Sequence, residues 1–542
     1  MSKSISYNDI SGFSKLFKDF ISGNSFFIEM FPSNYGLLPK ENIISKKVEN
    51  YKNRNKLHLL ISETMRDLPL SDAQSNNLNK IFDLNTAAVV TGQQVGFLGG
   101  PNYTYLKVCS ALSHAEKLSK IYTSFNFIPI FWVEDNDHDN FEASHVAVFD
   151  KNNDIIGINC DPTSKKTDRT IVSKRYFDSN ILSIIENIIN MLPDNEENNG
   201  ILDSLRDIYL PNKSWSQAFI EFINYALGSK GILFVSATKA RESGFFTELV
   251  IKEIENYGAT KRFVESANNH LLNAGYHIQA KVSPINLFIQ DGDNRLKFKM
   301  LSEDDELFEY NGIKLNRRDI LDLAISNPSF FSPNVLLRPV FQDFTLPTVL
   351  YIAGPSEIGY LTQIREVYDF FNVDMPAIIP RHSATFVNSY VTKFLERNIL
   401  ELKFFMRNFS IIMQELSQKF ISNKIENTFA VSERELINIY DNIINEALQI
   451  DKTLERSAKS ALQKSLYELE NIYKKIISAN KRNHEIEFRR YLKTADFLFP
   501  NNTLQERIYS PLNFMVEFGV EKYNYIIFNA FENEPNEHYI LY

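Results

Sequence analysis

Apolar residues near the start of the chain follow the pattern of a βαβ unit. A short apolar run at 87–91 leads into the segment 91–100, TGQQVGFLGG, and apolar residues at helical spacing follow from Tyr103 to Leu118. A second apolar run, at 127–133, has the length of a buried strand. The order strand, loop, helix, strand predicts a parallel sheet, because a helix is the usual crossover between parallel strands.

The strand pattern recurs further along the chain. Residues 231–235 form another apolar run, and the run at 348–353 leads into a Gly-Pro pair and a predicted helix. Residues 277–310 alternate polar and apolar positions around a turn at 291–293, which predicts an antiparallel hairpin. The fold class predicted from these patterns is α/β, built on a parallel sheet with insertions.

The stretch 381–499 contains neither Gly nor Pro, so we expect it to be mostly helical. Apolar residues step by four and three positions through 395–420, and a second run repeats this spacing through 436–454 before it slips at Ala458. We expect two long helices that turn in the polar stretch 422–427 and pack as an antiparallel coiled coil. Such a hairpin could join two subunits or form an internal helical bundle.

These patterns divide the chain into six expected segments. They are a mainly helical N-terminal segment (1–85), the first half of the core (86–150), a connective insertion with further core strands and the hairpin (151–330), the second half of the core (331–384), the helical coiled coil (385–495) and a C-terminal segment that returns to the core (496–542).

The amino-acid composition argues against several classes of protein. The 542 residues are 44% hydrophobic and 23% charged with a formal net charge of −9, which fits a globular chain and argues against a nucleic-acid partner. No apolar run approaches the roughly 20 residues that span a bilayer, and the N-terminus lacks the apolar core of a signal peptide. Two cysteines cannot build a disulfide framework or a cysteine-rich metal site. We expect a soluble cytoplasmic protein without a membrane partner.

Glycine is scarce, with 19 in the chain, yet four lie within 91–100. Glycines allow a loop to approach a ligand closely, and the N-terminus of the following helix attracts anions such as phosphate. The segment matches neither standard phosphate-loop motif, so a tight strand-to-helix turn is an equal alternative. The candidate binding residues around it are Gln93, Gln94, Gly96, Gly100, Asn102, Tyr103, Thr104 and Lys107.

A string of acidic residues follows the second predicted strand. Its candidate site residues are Asp137, His138 and Asp139, preceded by Glu134 and Asp135. The string could bind a metal, hold an ammonium group or supply a general base through His138, and a solvated acidic turn is the alternative. Because adjacent residues rarely converge on one ion, we predict no metal.

Three further groups are predicted to lie at strand ends. They are Arg338 with Gln342 and Asp343, then Gly354 with Glu357 and Tyr360, and finally Arg381 with Ser383. An arginine can pair with a carboxylate or phosphate through two hydrogen bonds, and a surface ion pair is the alternative for each. Cys109 lies in an apolar helical context without an obvious base, so we interpret it as a core residue.

Together these segments resemble one family, the bacillithiol-biosynthesis cysteine-adding enzymes. The matching motifs occur in family order over about 87–520 and are Thr91 to Thr104 with Lys107, Pro129 to Trp132 leading to Asp137-His138-Asp139, Arg338-Pro-Val with Gln342-Asp343, Gly354-Pro355 with Glu357, Pro380-Arg381, and Leu498 to Asn501 with Leu504 to Arg507. One departure is Asn136, where the family commonly has Glu. A role for a carboxylate there would fall to Glu134 or Asp135.

The resemblance implies a Rossmann-like core similar to class I aminoacyl-tRNA synthetases and nucleotidyltransferases, with a C-terminal coiled coil that pairs two subunits. It also implies addition of L-cysteine to the amine of glucosaminyl-malate in the last step of bacillithiol biosynthesis. By this likeness, His138 or Asp137 would act as the base, Lys107 and Arg381 would stabilise charge on the activated carboxyl group, and Arg338 would hold the malate carboxylates. ATP is the candidate activator, although both nucleotide motifs are degenerate.

Two other classes of function stay open at this point. One is a nucleotidyltransferase-fold enzyme that acts on another small amine or thiol. The other is a coiled-coil interaction protein with an inactive core, in which the polar residues at strand ends would be dispensable.

Overall fold

The computed structural model describes residues 3–31, 38–163, 167–193, 199–302, 306–419, 423–483 and 485–542. The strands in these ranges are β1 (Lys3–Ile5), β2 (Thr86–Gln94), β3 (Asn126–Glu134), β4 (His145–Phe149), β5 (Ile155–Asn159), β6 (Leu233–Ser236), β7 (Leu287–Asp291), β8 (Asn294–Lys297), β9 (Lys299–Ser302), β10 (Leu307–Tyr310), β11 (Ile313–Asn316), β12 (Phe331–Pro333), β13 (Thr348–Ala353), β14 (Ala377–Pro380), β15 (Ser383–Phe386) and β16 (His538–Leu541).

The α-helices of the same ranges are α1 (Lys15–Ile21), α2 (Ser25–Met30), α3 (Glu41–Asn50), α4 (Arg54–Thr64), α5 (Asp72–Lys80), α6 (Asn102–Ile121), α7 (Asn140–Ser144), α8 (Asn180–Met191), α9 (Asn199–Ile208), α10 (Trp215–Leu227), α11 (Ala237–Glu242), α12 (Thr247–Glu255), α13 (Ala259–Asn273), α14 (Arg317–Ser326), α15 (Arg338–Thr345), α16 (Pro355–Leu361), α17 (Arg365–Phe371), α18 (Ser389–Asn398), α19 (Phe409–Lys419), α20 (Asn423–Ile450), α21 (Leu454–Asn483), α22 (Glu485–Leu498), α23 (Pro511–Phe518) and α24 (Val520–Ala530). Two structural units divide the chain, Met1–Ser389 with Thr503–Tyr542 and Tyr390–Asn502.

A five-stranded, all-parallel sheet forms the core of the first unit. Its order is β14-β13-β2-β3-β6, which corresponds to the Rossmann order when the strands are numbered along the chain. The central strands are apolar on both faces because helices cover both, as is usual in parallel sheets. The predicted Rossmann-like α/β fold is therefore confirmed.

Helix α6 is the crossover between β2 and β3. It begins at Asn102, and Pro101 occupies the N-cap position immediately before it. Its inner face packs Ala111, Ala115 and Leu118 against Val89 of β2 and other buried apolar residues of the sheet. The helix is therefore anchored along its length, with its first turn at the carboxyl end of β2.

The sheet has a switch point between β2 and β13. From β2 the chain continues to β3 and β6 on one side of the sheet, and the later strands β13 and β14 lie on the other. At such a point the loops leave in opposite directions and open a crevice at the carboxyl ends of the strands. That edge is formed by Gln94, where β2 ends, and Ala353, where β13 ends.

Smaller sheets surround this core. Strands β7 and β8 form the antiparallel hairpin predicted around 291–293, and β12 pairs with β7. At the end of the chain β16 pairs in parallel with β15 and antiparallel with β1. The segment after Thr503 thus packs within the same unit as the parallel sheet.

The second unit contains an antiparallel helical hairpin made of α20 and α21. Phe429 contacts Tyr473 with ring centroids 4.9 Å apart, and the Tyr440 and Ser465 hydroxyls are 2.8 Å apart nearer the turn. The predicted coiled coil is confirmed, but the predicted turn at 422–427 is wrong. Helix α20 runs through 423–450, and the turn lies at 451–453, just before the slip in the apolar spacing.

The single long helix predicted over 395–420 is also wrong. Helix α18 ends at Asn398, Ile399 has a left-handed φ of 53°, and α19 begins only at Phe409. The apolar residues of this stretch instead fold around a local core, in which Phe394 contacts Tyr491 with ring centroids 5.0 Å apart. Phe420, the last residue of the predicted seam, lies outside the described residues.

Candidate functional site

A buried ion pair occupies the crevice at the switch point. Lys107, on α6, reaches the carboxyl end of β2, where its Nζ donates to the Gly92 carbonyl and to Gln93 Oε1, both at 2.9 Å. The same ammonium forms an ion pair with Glu357, in the first turn of α16. The two side chains are only 3% and 14% exposed, so the pair joins the two sides of the crevice away from bulk water.

Glu357 is held by hydrogen bonds at both carboxylate oxygens. Oε2 accepts from the Gly354 amide at 2.6 Å, while Oε1 accepts from the Tyr351 hydroxyl at 2.8 Å and the Tyr360 hydroxyl at 3.1 Å. Burial alone would raise the pKa of Glu357, but Lys107 and Arg338 hold it below its usual value. The carboxylate is therefore ionised and fully engaged.

Arg338 lies on the same side of the crevice. Its Nη2 donates to the Tyr360 hydroxyl at 2.5 Å and lies 3.6 Å from Glu357 Oε1, and its Nη1 donates to Gln342 Oε1 at 3.2 Å. Arg338 begins α15, a short turn after the antiparallel strand β12 ends at Pro333 and before β13 of the parallel sheet. A proline at the second position of that helix fixes its start.

Asp343 is linked to this cluster through Gln342. Its Oδ2 accepts from the Tyr368 hydroxyl at 2.6 Å, its Oδ1 accepts from Gln342, and its carbonyl accepts from Lys47. Burial raises the pKa of Asp343. The residue thus connects α15 to α17 and α3 inside the protein.

Tyr103 is linked to Lys107 through Gln93. Its hydroxyl accepts from Gln93 Nε2 at 3.2 Å, and burial raises its pKa to about 12. The guanidinium groups of Arg381 and Arg507 lie 5.5 and 5.6 Å from its ring centroid. Arg507 is exposed, and no ion pair of Arg507 occurs among the described residues. Tyr103 therefore lies near two guanidinium groups at the start of α6, of which Arg381 is buried and Arg507 is exposed.

Glu506 positions Arg381 and Ser383 through hydrogen bonds. Glu506 Oε1 accepts from Arg381 Nη2 at 2.5 Å and from the Ser383 hydroxyl at 2.9 Å, and Oε2 accepts from the Ala384 amide at 3.0 Å. The residue is fully buried, yet Arg381 keeps its pKa below the usual value against the effect of burial. Sequence reasoning noticed Glu506 and Arg507 only as part of a closing motif.

A second polar cluster follows β3 and contains the predicted Asp137 and His138. Asp137 Oδ1 accepts from Arg295 Nη1 at 3.1 Å and from the His138 amide at 2.7 Å, and its Oδ2 accepts from Gln94. Arg295, on β8, was missed by the sequence analysis because the hairpin lies about 160 residues away in the chain. The cluster joins the ends of β2 and β3 to the hairpin.

His138 is the titratable group of this cluster. Burial lowers its pKa, although Asp137, with Oδ1 3.4 Å from Nδ1, acts in the opposite direction. The imidazole is thus neutral near pH 7 and can accept a proton. It lines a cleft of about 370 Å³ together with Asp139 and Arg169. Asp139 itself caps α7, since its Oδ1 accepts from the Glu142 amide at 3.1 Å.

The neighbouring Asp135 and Asn136 point into the protein. Both are buried, and Asp135 accepts from the Ser236 hydroxyl at 2.6 Å and the Thr238 amide at 2.9 Å. Across the described ranges, no three His, Cys, Asp or Glu side chains are grouped as metal ligands would be.

The glycine turn between β2 and α6 is used for internal packing. A Cβ on Gly96 would lie 2.6 Å from the Gly100 Cα, and Gly100 itself has a left-handed φ of 68°. The Gly100 amide donates to the Phe97 carbonyl, and the Asn102 amide donates to the Tyr509 carbonyl. These amides are already paired, so an anion here would be bound by side chains such as Arg381 and Arg507.

Asn102 and Thr104 are both buried at the start of α6. Asn102 Oδ1 accepts from the Tyr523 hydroxyl at 2.5 Å, which ties α6 to the C-terminal helix α24. The Thr104 hydroxyl is buried and has no hydrogen-bond partner among the described residues. No residue of the described helices belongs to a span long and apolar enough to cross a membrane.

Two sequence models of one family cover the chain from end to end. The model described as "Bacillithiol biosynthesis BshC, N-terminal Rossmann-like domain" matches residues 1–382, and "Bacillithiol biosynthesis BshC, C-terminal coiled-coil domain" matches 384–542. The chain belongs to the BshC family. The resemblance inferred from the motifs is thereby confirmed. The second matched region contains the helical unit and also the segment Thr503–Tyr542, which belongs to the first structural unit.

Curated BshC relatives align over most of their length. A protein of Chloroherpeton thalassium is 31% identical over 81% of this chain and 80% of its own length. Proteins of Cytophaga hutchinsonii and Flavobacterium johnsoniae are each 26% identical and cover 94% and 95% of both chains, respectively. All three bear the name "Putative cysteine ligase BshC". The expectation of a ligase is confirmed at the level of the family.

Proposed function

We propose that this chain is a cysteine ligase that joins the carboxyl group of L-cysteine to the amine of glucosaminyl-malate, the last step of bacillithiol biosynthesis. The observation that carries the proposal is the convergence of Lys107, Arg338 and Tyr103 with its two arginines on the switch-point crevice. Both substrates are carboxylates, and this cationic crevice suits them. The names of the BshC relatives support the cysteine-ligase part of this proposal.

Arg338 is suited to hold the malate carboxylates. Its guanidinium is only 13% exposed and is oriented by Tyr360 and Gln342, so its position is fixed before a ligand binds. A preoriented guanidinium can form two parallel hydrogen bonds to one carboxylate. This geometry favours dicarboxylate recognition over a nonspecific surface charge.

Formation of an amide from a free carboxylate requires activation, and we propose ATP for this role. ATP would supply an adenylyl or phosphoryl group that makes the cysteine carboxyl group reactive. The residues present fit its phosphates, because the Arg381 and Arg507 guanidinium groups lie 5.5 and 5.6 Å from the Tyr103 ring centroid and Lys107 is linked to Tyr103 through Gln93. Lys107 and Arg381 would stabilise the negative charge that develops there.

His138 is the proposed general base for the attacking amine. Its lowered pKa keeps the ring neutral near pH 7, and it faces a cleft rather than a packed interior. A neutral imidazole can remove the proton that the amine loses as the amide forms. Asp137 is already paired with Arg295, so its proposed role is to orient His138.

The helical hairpin is proposed to pair two copies of the chain. Its outer surface leaves apolar side chains 50% or more exposed, including Ile439, Ile443 and Ile472. An exposed apolar face of this kind is costly in water and suits a symmetric partner. The molar mass in solution, measured by light scattering, would be twice that of one chain.

The proposed function is tested by metabolite analysis of a strain of the source organism that lacks this gene. Accumulated glucosaminyl-malate and loss of bacillithiol would support the cysteine ligase. Accumulation of a different amine or thiol would instead support a nucleotidyltransferase-fold enzyme that acts on that compound. Unchanged metabolites would favour an interaction protein with an inactive core.

A further inference from the structure

Glu134 is the last residue of β3 and lies at the edge of the crevice. The strand register places it directly opposite Gln94, at the carboxyl end of β2. Its Oε2 accepts from the Trp132 indole at 3.1 Å, and the side chain is half-buried. The carboxylate is therefore positioned by the strand and by one hydrogen bond.

Neighbouring carboxylates are already engaged. Asp135 is bound to Ser236 and Thr238, Asp137 is bound to Arg295, and Glu357 is bound at both oxygens. Glu134 has no ion pair within the part of the chain that the structure describes, and its Oε1 has no hydrogen-bond partner there. Among the acidic residues at this edge, Glu134 thus offers an open carboxylate oxygen.

Two arginines act on Glu134 electrostatically without contacting it. Burial raises its pKa, whereas Arg338 and Arg295 lower it and so favour the ionised form. Glu134 therefore lies between the cluster that contains Arg338 and the cluster that contains His138. Lys107, the residue proposed to act on the cysteine carboxyl group, donates to the Gly92 carbonyl near the end of β2, the strand that pairs with β3. A ligand with its carboxyl group near Lys107 would place its adjacent substituents close to Glu134.

We propose that Glu134 binds the α-ammonium group of cysteine and thereby selects an amino acid over a simple thiol acid. This assignment rests on the proposed function. In cysteine the ammonium and carboxyl groups are attached to the same carbon. A site that binds the carboxyl group through a cation therefore needs an anion close by for the ammonium group. An amine held as ammonium is also no nucleophile, so the bound cysteine cannot itself act as the attacking amine.

The test compares two acyl donors that differ only in the ammonium group, L-cysteine and 3-mercaptopropionate. Each is supplied to the full-length protein with glucosaminyl-malate and ATP, and kcat/KM for amide formation is measured by mass spectrometry. Glu134→Gln should lower kcat/KM for cysteine by about ten- to a hundredfold, the usual effect of losing a hydrogen bond to a charged group. Its kcat/KM for 3-mercaptopropionate should change by less than about threefold, because that donor lacks the group Glu134 binds.

Two further variants make the result specific. Glu134→Asp keeps the charge and should recover part of the selectivity for cysteine. Glu116→Gln removes an exposed carboxylate near the far end of α6, where it pairs with Lys120, and should leave both donors unaffected.

Equal losses on both donors, or no loss for cysteine, would overturn the assignment of Glu134 while leaving the ligase intact. Absence of any amide with the wild-type protein would overturn the proposed function and this assignment together.

Discussion

Lys107 and Glu357 form a buried ion pair that joins α6 to α16 across the switch point of the sheet. Because β2 precedes one of these helices and β13 precedes the other, the pair fixes the distance between the two strand ends. A buried ion pair contributes little net stability compared with apolar packing, but removal of one partner leaves an uncompensated charge. The pair is therefore best understood as the element that shapes the crevice.

Lys107→Met should destabilise the protein by about 3–5 kcal/mol, because it leaves Glu357 buried without its main cationic partner. The free energy of unfolding is measured by urea denaturation. Lys117→Met is the matched control, since Lys117 forms its ion pair with the exposed Glu534. The control should lose at most about 1 kcal/mol. Equal losses of unfolding free energy in Lys107→Met and Lys117→Met would contradict the burial of the pair between Lys107 and Glu357.

Glu506 should make stability depend on acid. Its pKa is lowered in the folded protein by Arg381, so the unfolded chain binds more protons at low pH. The stability it contributes is complete above its usual pKa of 4.5 and is lost as pH falls from there through the folded pKa. Unfolding free energies measured between pH 7 and 3 should fall less steeply in Glu506→Gln than in the wild type. Parallel curves would show that this carboxyl group is not the acid-sensitive element.

His138→Gln should lower kcat by about 10²–10⁴-fold if His138 is the general base. In the wild type, kcat/KM should fall as pH drops below the usual histidine value of 6.5, with an apparent pKa beneath it because burial disfavours the charged ring. The variant should lose this acidic limb of the pH profile. His58→Gln is the control, since His58 packs on Phe82 in the N-terminal helices. If His138→Gln keeps the acidic limb of the pH profile, the general base is another residue.

Gly96→Ala should destabilise the turn that starts α6 by about 1–3 kcal/mol, because the new methyl group would lie 2.6 Å from the Gly100 backbone. Gly157→Ala provides the control, since a Cβ at Gly157 meets no atom within 4 Å. Thermal unfolding of both variants gives the comparison. If Gly96→Ala unfolds at the same temperature as the wild type, the turn can make room for the methyl group without loss of stability.

Much of the parallel sheet could be predicted from the sequence because its strands are buried on both faces. The runs at 87–91, 127–133 and 348–353 are apolar at nearly every position. A strand covered by helices on both faces requires such a run, whereas most other elements have one polar face. The hairpin at 291–293 was equally visible, because its turn residues interrupt an alternating pattern. These local patterns were enough to find the sheet edge where Lys107, Arg338 and Glu357 meet.

Heptad spacing was less reliable, for a physical reason. A step of four and three residues requires only that apolar side chains share one face, and three short helical segments satisfied it over 395–419 as well as one long helix would. The true hairpin turn at 451–453 contains no Gly or Pro. It depends instead on Asp451, whose side chain accepts from the Thr453 amide.

The partners of the site residues could not be predicted, because they come from distant parts of the chain. Arg295 reaches Asp137 from a hairpin, and Glu506 reaches Arg381 from the C-terminal segment. The sequence also gave no means to choose between Glu134 and Asp135. The structure separates them, since Asp135 is bound inside the protein and Glu134 is at the crevice.

The most direct test of the central proposal is reconstitution of the reaction with the purified full-length protein. Cysteine labelled with ¹⁵N, glucosaminyl-malate and ATP are combined, and the products are followed by mass spectrometry. The account predicts a labelled amide of the mass of bacillithiol that forms only when all three compounds are present and is strongly reduced in Arg338→Met. A wild-type protein that forms no labelled amide with ATP or any other nucleoside triphosphate would contradict it.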